Sequence, residues 1–60
     1  MTKTEIRNIL RNTFGARSYR ITRDDEIHVY GQMPNSSEVG WYFFGWVGDA
    51  ETLARIQSLD

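Results

Sequence analysis

The chain has 60 residues, a formal net charge of −1, 13 % aromatic residues, one histidine and no cysteine. That length holds one domain, which buries only about 60 % of its unfolded surface and is marginally stable by itself. Without cysteine there is no disulfide framework or thiolate metal site, and His28 alone excludes the paired-histidine zinc patterns, so no metal and no cofactor is expected.

The first predicted element is a helix over residues 3–14. Thr2 and Glu5 have the capping-box spacing, Ile6, Ile9, Leu10 and Thr13 share a face, and Gly15 follows Phe14 where a C-terminal cap belongs. Lys3, Arg7 and Arg11 form a basic stripe beside that face, with Asn8 and Asn12 next to it on the solvent side.

Two strands follow, Ser18 to Arg23 and Ile27 to Gln32, around Asp24, Asp25 and Glu26. A two-residue Asp-Asp turn would set Ile21 opposite His28 and mix polar with apolar faces. A three-residue loop pairs Arg23 with Ile27, so that Ile21 meets Val29 and Arg20 meets Tyr30, which keeps the apolar set together. Met33-Pro34-Asn35-Ser36-Ser37 is turn chemistry. The third strand, Trp41 to Val47, carries five aromatics in six consecutive positions, Trp41 to Trp46. Asp49 then caps a second helix reaching about Ser58, with Ala50, Leu53, Ala54 and Ile56 or Gln57 on its inner side.

The expected fold is α+β: a three-stranded antiparallel meander in the order α-β-β-β-α, forming a single small domain over residues 1–60. Double-stranded RNA-binding domains share this order, but their lysine-rich start of the last helix is replaced here by Asp49-Ala50-Glu51, and no family is inferred.

Side chains alternate along strands, so the aromatic strand offers apolar surface to both sides of the sheet. The expected register places Tyr19, Ile21, Ile27, Val29, Gly31, Trp41, Phe43, Gly45 and Val47 on the core face. Arg20, Thr22, His28, Tyr30, Gln32, Tyr42, Phe44 and Trp46 then lie on the other face. A bulge at Gly45 would exchange only the last two residues between faces. The three aromatics that the third strand places on this second face, Tyr42, Phe44 and Trp46, represent on the order of 10 to 15 kcal/mol if fully buried, as much as the whole stability of a small domain. Something is expected to cover them: the second helix, a second copy, or a partner.

The functional expectation is accordingly a protein-binding module, with Arg20, Tyr30, Tyr42, Phe44 and Trp46 as its contact residues and a homodimer or a target protein as its complex. Its size suits an accessory or inhibitor protein of the kind phages and mobile elements encode. The alternative is a nucleic-acid-binding regulator. Residues 1–23 carry a balance of +5 and residues 24–60 one of −6, so Arg7, Asn8, Arg11, Arg17 and Arg20 are the candidate contacts to phosphates and bases. An enzyme is not expected, because one histidine and a small volume leave no base with an orienting partner in a pocket for a small-molecule substrate. The Asp24-Asp25-Glu26 run is expected to be a solvated hairpin tip. No window approaches the roughly 18 apolar residues of a membrane span, and a cytoplasmic protein with no membrane partner is expected.

Overall fold

A computed structural model describes residues 1–59; Asp60, counted in the charge balance above, lies outside the described residues. The order is α1 (Lys3–Phe14), β1 (Tyr19–Ile21), β2 (Glu26–Gln32), β3 (Val39–Trp46) and α2 (Ala50–Leu59). The strands form one antiparallel sheet in the order β1-β2-β3, as the α-β-β-β-α reading anticipates.

The helix ends follow from local chemistry. The Thr2 hydroxyl accepts from the Glu5 N–H at 3.2 Å while Glu5 Oε1 accepts from the Thr2 N–H at 3.1 Å, completing the capping box. Gly15 ends α1 with φ 110°, and its N–H donates to the Arg11 carbonyl at 2.9 Å. At α2, Asp49 Oδ2 accepts from the Thr52 N–H at 3.3 Å and the Thr52 hydroxyl at 2.9 Å. The inner side of α2 differs from expectation. Thr52 and Ile56 are buried and Leu53 is half-buried, whereas Ala50, Ala54 and Gln57 face solvent.

The β1–β2 loop has three residues, but they are Arg23, Asp24 and Asp25, one position earlier than expected. Asp25 takes the left-handed conformation, with φ 64°, that such a loop requires at its third residue. Thr22 clamps it: its carbonyl accepts from the Asp25 N–H at 3.1 Å, and its hydroxyl from the Glu26 N–H at 3.1 Å. The anticipated pairs Ile21–Val29 and Arg20–Tyr30 are therefore corrected to Ile21–Ile27 and Arg20–His28. A shift of two residues leaves every side chain on its expected face.

The third strand needs a larger correction. Val29 pairs with Tyr42 and Gly31 with Gly40, but Ile27 pairs with Gly45, so the register breaks between Ile27 and His28 and Phe44 is the extra residue. Tyr42 and Phe44 turn toward the helices, and Trp41 and Phe43 turn away, the reverse of the expected assignment. Gly45, Trp46 and Val47, beyond the bulge, keep theirs.

Both helices lie on one side of the sheet. The core between them joins Ile6 and Leu10 of α1, Ile27 and Val29 of β2, Phe44 of β3 and Ile56 of α2. Gly31 admits Phe14, and Gly45 admits Thr52, which is 2 % exposed.

Candidate functional site: the open sheet face

With both helices on one side, no described residue covers the opposite side of the sheet. In β2, Glu26, His28, Tyr30 and Gln32 point there; Arg20 joins them from β1, and Val39, Trp41, Phe43 and Trp46 from β3. The exposures of Tyr30, Trp41, Phe43 and Trp46 are 44, 42, 46 and 48 %, and their neighbours on this face belong to the same layer. For side chains of about 150 to 250 Å² this leaves roughly 300 to 400 Å² of aromatic surface, the size of the largest, often functional, patch on a small monomer.

The layer is ordered edge to face. Tyr30 meets Trp41 at 5.7 Å between centroids, His28 meets Phe43 at 5.6 Å, and Phe43 meets Trp46 at 5.5 Å, all steeply inclined. The Arg20 guanidinium reaches from β1 to 5.0 Å above the Trp41 ring. Glu26 Oε1 lies 3.2 Å from His28 Nε2. The face thus has an aromatic centre with one cation and one carboxylate, and neither sign dominates.

Of the sequence-predicted contact set, the structure brings together Arg20, Tyr30 and Trp46 on this face. Tyr42 and Phe44 are corrected out of it: Phe44 is 7 % exposed in the core, edge to face with Phe14 at 6.3 Å and covered by the Arg55 guanidinium at 4.3 Å. Tyr42 packs against the same core. Trp41 and Phe43 take their places, and sequence reasoning missed them. A signal was present: Gly40 and Gly45 have opposite parity, so both can face the helices only if an extra residue lies between them.

The nucleic-acid set is divided between surfaces. Arg7 and Arg11 are exposed on α1, on the helix side of the sheet, while Arg20 lies on the open side. Asn8 Oδ1 accepts from Arg11 at 2.9 Å, and Arg17 is exposed in the segment linking α1 to β1. In the hairpin tip, Asp25 Oδ1 has the Lys3 ammonium 2.8 Å away, and the Asp25 carbonyl accepts from the Val47 N–H at 2.8 Å. The tip therefore ties α1 to the end of β3.

Among the described residues no group of three histidine or acidic side chains is placed to hold a metal, and no helix is long and apolar enough to cross a membrane. No protein-family model, curated protein or solved structure matches the chain.

Proposed function

We propose that the chain is a non-enzymatic binding protein that docks on another protein through the open face of its sheet, with Trp41, Phe43, Trp46, Tyr30 and Arg20 as the contact residues. The observation that supports this most is the placement of both helices on one side, which leaves four aromatic rings together and wet on the other. Trp, Tyr and Arg are the residue types that dominate binding energy at protein interfaces. Aromatic rings also stack on unpaired bases, but Arg20 is balanced here by Glu26, and the arginines of α1 lie behind the sheet.

The test compares wild type with Phe43→Gln and Trp46→Gln, each checked by circular dichroism. The variants keep the fold and lose at least tenfold in affinity for the protein that wild type captures from its source cells. Equal capture by both variants overturns the reading. Titration with single-stranded oligonucleotide is the second arm: saturable, salt-sensitive quenching of Trp41 and Trp46 assigns the face to nucleic acid instead.

A further inference from the structure

The sheet has two edges, and they are unlike. β1 is three residues long with Arg20 at its centre and is flanked by Arg17 and Arg23, so it is short and charged. Such edges resist pairing with another strand. β3 is eight residues long, and from Val39 to Phe43 it has neither charge nor proline. Its first irregularity is the bulge at Phe44.

The direction of the free backbone groups follows from bonds already made. Tyr30 N–H donates to the Ser18 carbonyl at 2.8 Å, and Glu26 accepts from the Thr22 N–H at 2.9 Å, so Glu26, His28 and Tyr30 address β1. Ile27, Val29 and Gly31 therefore address β3, where Val29 and Gly31 bond Tyr42 and Gly40. The backbone groups of Val39, Trp41 and Phe43 are left pointing outward. Among the described residues, no side chain or turn bonds them.

We infer that this edge is a seam between two copies of the chain, β3 pairing antiparallel with β3 about a twofold axis at Trp41. In that register Trp41 faces its own copy, and Val39 faces Phe43 of the second copy. All three outward residues then face outward residues, and three pairs exchanging two bonds each give six hydrogen bonds. The bulge ends the pairing on both sides. The edges remaining are two copies of β1, short and arginine-bearing, so assembly stops at two and not at an open fibre. Both open faces lie on the same side of the resulting six-stranded sheet, the two Trp41 rings side by side, and the docking face is doubled.

Four measurements test the seam, each read as self-association and not as binding of a target. Sedimentation equilibrium is expected to show about 14 kDa, twice the 7.0 kDa of one chain, dissociating on dilution. Amide exchange at Trp41 and Phe43 is expected to slow at least tenfold in the dimer, while Tyr42, already bonded inward, is unaffected by dilution. Since the chain has no cysteine, Trp41→Cys and Val39→Cys each carry one thiol. The twofold sets position 41 about 5.5 Å from itself and position 39 about 14 Å from itself, so oxidation links Trp41→Cys at least tenfold faster. Val39→Pro, which removes an outward donor only, is expected to weaken the dimer at least tenfold.

A 7.0 kDa particle at millimolar concentration, with Trp41 and Phe43 amides exchanging freely, overturns the seam and leaves the open face as a surface for a target. A dimer that Trp46→Gln abolishes and Val39→Pro does not is joined face to face, which also overturns the seam.

Discussion

Gly45 lies directly against Thr52 of α2: a Cβ there would run into the Thr52 hydroxyl and lie 2.6 Å from Cγ2 of the same side chain. Thr52 is buried and held by Asp49, so it has little room to yield. Gly45→Ala is therefore expected to cost about 1 to 3 kcal/mol in denaturant unfolding, the usual cost of overpacking. Gly48→Ala is the control. Nothing lies within 4 Å of its Cβ position, and a change within about 0.5 kcal/mol is expected. The close Thr52 contact was legible in the sequence only as the small residue at position 45, because the threonine that fills the space belongs to another element.

At the scale of single elements, α1 and β3 differ in how locally they are determined. The capping box of α1 involves only Thr2 and Glu5, and Thr2→Ala is expected to destabilise the domain by about 1 kcal/mol. The bond accepted from the Thr2 backbone holds the Glu5 carboxyl below its usual range. With the folded value below the unfolded one, the stabilisation is present above the unfolded value and is lost as pH falls through the folded one. Wild type should therefore lose its advantage over Glu5→Gln in amide protection of the first turn of α1 as the solution is acidified through the carboxylate range. In β3 a local rule misleads. Alternation carried along Trp41-Tyr42-Phe43-Phe44 gives the wrong faces, because every residue there is aromatic and no polar position marks the outside. Phe44→Ala should cost about 3 to 5 kcal/mol, as a buried aromatic does, while Phe43→Gln should leave the unfolding free energy within about 0.5 kcal/mol of wild type. The opposite ranking would return Phe43 to the core.

For the molecule as a whole, the decisive feature is the side on which each helix settles. Among the described residues the opposed charge balances of the two halves meet where Lys3 of the first pairs with Asp25 of the second. Both groups are half exposed, so Lys3→Ala is expected to change stability by less than about 1 kcal/mol. The length and caps of α1, the order α-β-β-β-α, the three-residue hairpin loop and the surplus of aromatic surface were determined by the sequence alone, since each rests on spacing between near neighbours. Which aromatics form that surplus, and that it lies on one uncovered face, was decided only by the tertiary structure. Setting Gly40 opposite Gly31 on the helix side while Thr52 fits over Gly45 requires one extra residue in β3, and that extra residue sends Phe44 inward and leaves Trp41 and Phe43 in water.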